Sequence, residues 1–292
     1  QNLFRNFDKY NRLHRFKKLY RKELVLNPAF CRSLYGFNPL TITPNRESVF
    51  KNWLLFLLKK SSQIIKNIKG GLKSIWFFRN SCKKSQMWFF VILVVDFKDI
   101  ENLKKRAHAI ALKKDIHILV NNTGGPEPGG LLEAGLNDFL GAFKNHLICN
   151  HLLVKSFVNG MKRSGYGRII NIISTSVKEP LDGLGVSNTT RAAVANWAKT
   201  LANELGKFGI TVNNVLPGFT DTERLSEILK ISAEKNNISE EQMFEKMKQS
   251  VPLQRFAEPS ELGMAISFLA SPAASYITGT NLVVDGGRTK SH

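Results

Sequence analysis

The sequence predicts an α/β fold, a doubly wound parallel sheet over residues 91–287, with an atypical or incomplete N-terminal part before it. Three observations predict it. The stretch Gly167 to Thr222 reads strand, helix, strand: GRIINIIS, then SNTTRAAVANWAKTLANELGKFG, then ITVNNVLPGFTDT. From Val91 onward, apolar runs of strand length alternate with amphipathic helical segments, as in parallel strands joined by crossover helices. Finally, Ser174, Pro217, Gly218 and Thr222 fall at the carboxyl ends of the predicted strands, where open parallel sheets bind their ligands.

Each element has its own signal. Val91 to Val95 is a continuous apolar run closed by Asp96, the pattern of a strand buried on both faces. Asp99 to Leu112 carries Ile100, Leu103, Ala107 and Ala111 in helical register. Ile116 to Val120 is a second buried strand, running into the glycine-rich loop Asn121 to Gly130. Glycines there allow positive φ and a close approach to a ligand. Phe139 to Met161 is a long helix. His146, Cys149 and His151 lie close together on it, but their spacing does not put all three on one face and no metal site is expected. In the helix after the loop, Val194, Trp197, Ala198, Leu201 and Leu205 form one stripe, with Asn188, Lys199, Asn203 and Lys207 on other faces. Gly206 and Gly209 mark its end. Asp221 to Met247 is charged and helical, more a flap than core. Pro259 to Ala270 is a further helix, and Gly279 to Asp285 a last strand.

Composition bounds the rest. The chain has 292 residues and a net charge of +19, unevenly placed. Residues 1–91 hold 19 Lys and Arg against Asp8, Glu23 and Glu47 only, and so carry +16 of it. Arg12 to Leu24 reads as a basic helix that binds polyanions or an anionic surface, or as a solvated extension; no base-reading pattern accompanies the charge, and no specific nucleic-acid partner is expected. Asn52 to Leu58 and Ser74 to Phe78 are apolar without a sustained period. Three widely spaced cysteines, Cys31, Cys82 and Cys149, point to free thiols in a reducing compartment. No apolar run reaches the ~18 residues of a membrane span, and the start lacks signal-peptide order, so a cytoplasmic location is expected. The first residue is Gln1, as in a fragment. The expected division is a basic segment (1–90), the sheet domain (91–287) and a short tail (288–292).

Five motifs, NNTGG, GRIINIIS, the loop-plus-helix after it, VNNVLPGFTDT and SYITGTNLVVDGG, resemble the short-chain dehydrogenase/reductase family. They look nearest to its carrier-protein ketoacyl-reductase branch. The resemblance implies a Rossmann-like fold, NADP or NAD as cofactor, and hydride transfer to or from a small-molecule carbonyl or alcohol. It also implies a homo-oligomer, tetramer or dimer, packed through the helices near 139–161 and 188–205. By position, Asp96 would contact the adenine, Asn121 and Gly124 would line the cofactor cleft, and Ser174 would hydrogen-bond the substrate oxygen. Pro217, Gly218 and Thr222 would hold the nicotinamide amide.

Three departures accompany the resemblance. Where the family has a catalytic Tyr and Lys four residues apart, this sequence has Ser187 and Arg191. Serine is a far weaker acid than tyrosine, and arginine supplies charge, ribose or phosphate contacts but relays no proton. The family's helix asparagine is replaced by His146, with Asn145 beside it; His146 is a candidate proton donor, its unperturbed pKa being about 6.5. Third, the turn that holds the cofactor pyrophosphate should lie near Arg46 to Lys51, inside a window from Gly36 to Gly70 without a glycine. An alternative is therefore a catalytically inactive relative, or a damaged or truncated chain. A basic-tailed adaptor is a third reading.

Overall fold

The computed structural model describes residues 24–26, 72–81 and 87–291. One seven-stranded sheet runs through them, in the order β1-β3-β2-β4-β5-β6-β7. The strands are β1 (Leu24–Leu26), β2 (Leu72–Ser81), β3 (Met87–Asp96), β4 (Ile118–Asn122), β5 (Gly167–Ile172), β6 (Ile210–Pro217) and β7 (Asn281–Val284). β4 to β7 pair in parallel. β2 is antiparallel to both β3 and β4, so β3 to β7 all point the same way. The strands expected from residue 91 onward thus share one direction. The segment before them adds two strands, β1 and β2, of the opposite sense, and the sheet is mixed. Ser74 to Phe78, which has no clear sequence period, lies within β2. The glycine-free stretch Arg46 to Lys51, Asn52 to Leu58, Cys31 and Cys82 lie outside the described residues. So does the basic helix expected over Arg12 to Leu24, apart from Leu24 at the start of β1.

Helices cover both faces. α1 (Ile100–Lys113) is capped by the Asp99 carboxylate, which accepts from the Asn102 amide, and it buries Leu103, Ala107 and Ile110. α2 (Leu136–Phe143) and α3 (Cys149–Ser164) form one continuous helix joined through a π-turn, Lys144–Ile148. α4 (Gly185–Leu205) buries Val194, Ala198 and Leu205 of the expected stripe, with Trp197 and Leu201 partly buried against the same core. Together α1, α3 and α4 enclose one face over Leu119, Ile169 and Val212. α7 (Pro259–Ala270) covers the other, where Ile266 and Leu269 meet Ile118, Val120, Ile170 and Val215. The charged segment after β6 forms α5 (Glu223–Asn236) and α6 (Glu240–Gln249). It keeps a small core of its own around Leu225, Leu229, Ala233 and Met243, as fits a flap. Among the described residues, no helix is long and apolar enough to cross a membrane.

One polar layer crosses the sheet. Asn121, Asn171, Asn214 and Asn281 are register partners on successive strands. Asn121 Nδ2 donates to Asn171 Oδ1 (2.8 Å), Asn171 Nδ2 to Asn214 Oδ1 (2.9 Å), and Asn214 Nδ2 to Asn281 Oδ1 (2.8 Å). The ladder lies between the apolar layer Leu119–Ile169–Val212 and the layer holding Ile173 and Leu216 at the strand ends. Buried amides are tolerated here because each finds its partner on the next strand.

Candidate active site

The candidate crevice is the edge of the sheet at the carboxyl ends of β4, β5 and β6, parallel neighbours whose following segments leave it side by side. The glycine-rich loop after β4 is tied there to the start of α4 by the Gly129–Leu184 bridge and to α5 by Arg224 on the Pro126 carbonyl. Ser174 follows β5 in extended conformation, and its Oγ accepts from the Ser176 amide at 3.1 Å. Ser187 and Arg191 stand one turn apart on α4, 9% and 8% exposed, and Arg191 Nε donates to Ser187 Oγ at 3.3 Å. Arg191 Nη1 donates to the carbonyls of Ile173 (2.9 Å) and Ile172 (3.3 Å). Helix spacing thus puts the serine on the guanidinium, and the guanidinium grips the backbone that ends in Ser174. Neither the Ser174 nor the Ser187 hydroxyl proton has an acceptor among the described residues. Burial lowers the Arg191 pKa to about 10, with the positive charge of Arg224 as the second cause; the side chain stays charged at neutral pH.

His146 sits in the π-turn, 3% exposed. Its Nδ1 lies 2.5 Å from Oγ1 of Thr123, in the glycine-rich loop. A π-turn widens a helix by one residue and is frequent at functional sites; here it carries His146 to the foot of that loop. Cys149 is buried, its thiol donating to the Phe97 carbonyl, and His151 is exposed with its ring edge-on to Trp197, so the three residues face different surroundings.

The expected cofactor residues are distributed as follows. A Cβ at Gly124 would meet nothing within 4 Å, so open space lies beside it. Gly218 lies against β7: a Cβ there would stand 2.5 Å from Asp285 Cβ, and its amide donates to the Val284 carbonyl at 2.9 Å. Pro217 ends β6. Thr222 is the N-cap of α5, but its hydroxyl donates back to Thr220 O (3.2 Å) and caps no helix amide. The first amides of α5 therefore lack a side-chain cap, the arrangement that suits a polar or anionic ligand group. Asp96 ends β3 half-buried, Oδ1 accepting from the Lys98 amide at 2.9 Å. The Asn121 side chain, 2% exposed, is engaged in the asparagine ladder, so it supports the crevice from below instead of lining it.

Sequence reasoning missed Arg224 and Thr123. Arg224, on α5, donates through Nη2 to the Pro126 carbonyl (3.1 Å) and through Nη1 to Glu227 (3.0 Å). It tethers the flap to the glycine-rich loop. A charged helix gives no sign of which of its charges turns inward, and the loop's Thr123 gives none of its histidine partner.

The family model described as enoyl-(acyl carrier protein) reductase matches residues 80–289. The NADPH-dependent reductase BacG of Bacillus subtilis is 32% identical over 60% of this chain and 68% of its own length. The 3-oxoacyl-[acyl-carrier-protein] reductase FabG of Buchnera aphidicola is 30% identical over 84% of this chain and 95% of its own. Among solved structures, L-sorbose reductase from Gluconobacter frateurii complexed with NADPH and L-sorbose superposes with a TM-score of 0.62 at 30% identity, covering 68% of this chain and 76% of that one. The chain belongs to the short-chain dehydrogenase/reductase family.

Proposed function

We propose that the chain is an NAD(P)-dependent oxidoreductase that reduces a small-molecule carbonyl, or oxidises the matching alcohol, in this crevice. One observation supports the assignment of residues: Arg191 binds both the Ser187 hydroxyl and the backbone entering Ser174, so one fixed cation joins the two segments that carry the serines. Relatives named as NADPH-dependent and 3-oxoacyl reductases support the class. The nicotinamide half of a dinucleotide fits the residues present, with open space beside Gly124 and uncapped amides at α5 near Thr222. When bound, the cofactor supplies the hydride. Everything else falls to the chain. Negative charge develops on the substrate oxygen, where the Ser174 and Ser187 hydroxyls donate, and the Arg191 charge behind Ser187 stabilises it. Arg191 holds Ser187 in place and keeps its own proton. His146, paired with Thr123, is the proton donor. Asp96, Pro217, Gly218 and Thr222 hold the cofactor, and the long helices near 139–161 and 188–205 pack a homo-oligomer.

The test is NADPH and NADH oxidation against a panel of oxo compounds. Ser174→Ala and Ser187→Ala are each expected to lower kcat by about 10²-fold, the usual cost of one donor to a developing oxyanion. Absence of cofactor binding at millimolar NADPH and NADH would overturn the reading. Loss of turnover in neither variant would overturn the roles. Light scattering of the purified chain tests the oligomer.

A further inference from the structure

We propose that Arg191 and Arg224 together seat an oxyanion in the crevice, and that this anion is a carboxylate carried by the substrate. The proposal rests on the oxidoreductase reading and names its substrate class: small oxo acids and their hydroxy acids, in place of neutral carbonyls.

Arg191 is more than nine-tenths buried, yet no carboxylate among the described residues pairs with it. Its Nε and Nη1 are committed to Ser187 Oγ and two carbonyls, all neutral acceptors. Nη2 has no partner among the described residues and faces the glycine-rich loop, where a Cβ on Gly125 would come within 3.6 Å of it. Arg224 donates to the carbonyl of Pro126, the next residue of the same loop. Two guanidinium groups thus approach two adjacent loop residues, and Glu227 pairs with Arg224. Glu227 is engaged by Arg224 and 59% exposed. A buried cation without a counter-ion is costly, and one beside a second cation costlier still. Burial and then the Arg224 charge lower the Arg191 pKa, which expresses the same imbalance. An oxyanion at Nη2 removes it, with charge-assisted hydrogen bonds from planar donors that match a carboxylate.

The place of the anion selects the ligand. Ser187, which faces the reacting oxygen, is itself hydrogen-bonded to Arg191. A carboxylate on the carbon next to the reacting carbonyl lies within reach of the same guanidinium. Phosphate of the cofactor has the same chemistry, and the experiment separates the two sources.

Oxamate, an unreactive oxo-acid analogue, and its neutral methyl ester are titrated into the wild-type chain by calorimetry, with and without saturating NADPH. Oxamate is expected to bind at least about 10-fold more tightly than the ester, the worth of one charge-assisted contact. Arg224→Gln, a partly exposed site, is expected to weaken oxamate by about 10-fold while NADPH affinity stays within about threefold. Glu227→Gln, which frees Arg224, is expected to tighten it. Equal binding of acid and ester, or oxamate affinity unchanged in Arg224→Gln with native circular dichroism, would overturn the proposal. Displacement of NADPH by oxamate and by inorganic phosphate would assign the seat to the cofactor and overturn the substrate assignment. Failure of the oxidoreductase reading looks different: NADPH does not bind, while oxamate without cofactor still reports on the seat.

Discussion

Replacing Asn171 by Leu tests the polar layer beneath the crevice while keeping the number and branching of the side-chain heavy atoms. Asn171 is fully buried. It accepts from Asn121 Nδ2 and donates to Asn214 Oδ1, so the substitution orphans two polar atoms on neighbouring strands. Each buried orphan costs about 1–3 kcal/mol, giving a loss of roughly 2–5 kcal/mol. Asn121 Oδ1 already lacks a partner among the described residues, so the Asn121 amide would be left with no bond at either end, which argues for the upper part of that range. Against a typical domain stability of about 5–15 kcal/mol the loss is large. Urea unfolding reads it as a midpoint lowered by roughly 1 M or more, at a slope of about 2–3 kcal/mol per M. The control is Asn121→Leu, Asn171→Leu and Asn214→Leu combined. Both bonds made by Asn171 then lose both partners, and only the partly exposed Asn281 loses a donor, that of Asn214; most of the loss is expected to return, because apolar replacement of a whole pair is nearly neutral. A single variant within about 0.5 kcal/mol of wild type, the range of an ordinary surface substitution, would refute the reasoning; so would a triple variant less stable than the single.

Gly218→Ala would set its methyl carbon 2.5 Å from Asp285 Cβ and 2.7 Å from its Cα. The second of these is backbone and cannot swing aside, so the β6–α5 turn has to shift at a cost of about 1–3 kcal/mol; an unchanged Tm would contradict this. Glu261 is held down to about 2 by the Arg255 guanidinium and then by the Glu258 amide. Because the folded-state value lies below the usual 4.5, the pair stabilises the fold above about pH 4.5, and that contribution disappears as pH falls toward 2. Both side chains are substantially exposed, so Glu261→Gln should cost no more than about 1 kcal/mol at pH 7 and nothing at pH 2, read from Tm across that range. His146→Ala, at the proposed proton donor, is expected to lower kcat for reduction by about 10²-fold or more. Turnover at the wild-type level excludes that role.

Elements with a strong local period were legible. Pro259 to Ala270 was expected and is found, because a proline at the first turn and an apolar 3.6-residue repeat are decided within the segment itself. The same holds for the Val194 to Leu205 stripe and for the charged flap after Thr222. What depended on pairing between distant residues was less legible. Ser74 to Phe78 does not alternate, and its place in β2 comes from antiparallel pairing with β3 and β4, a long-range choice. Each of four strands carries an asparagine, visible in HILVNN, RIINI, TVNNV and TNLVV, but only the register aligns them into a ladder. In the site, the Ser187–Arg191 pair came from the resemblance, by counting from Ser174 to the family's Tyr and Lys positions, and their contact one helical turn apart is local. Thr123 on His146 and Arg224 on Pro126 join residues 23 and 98 positions apart, and no spacing rule reaches that far. The π-turn at Lys144–Ile148 has no proline or glycine of its own to announce it.

The Ser187–Arg191 pair also shifts where the chemistry is difficult. A tyrosine donor next to a lysine hands over its proton as the hydride arrives, so charge on the substrate oxygen never builds fully. A serine hydroxyl is too weak an acid to do that, and a guanidinium whose pKa stays near 10 keeps its proton. The oxygen must then carry more charge in the transition state, and its stabilisation has to be electrostatic. Burial serves that end. A cation 8% exposed acts through a medium of lower dielectric than water, where its attraction for an oxyanion is several times stronger. It is also fixed by two carbonyls of β5, so little reorganisation is needed when charge appears. In the proposed mechanism proton delivery is a separate event, assigned to a residue outside the pair, His146. On this arrangement hydride transfer and protonation are uncoupled: deuterated cofactor should slow turnover while heavy water has little effect on the same step, whereas equal sensitivity to both would return the proton to the pair itself.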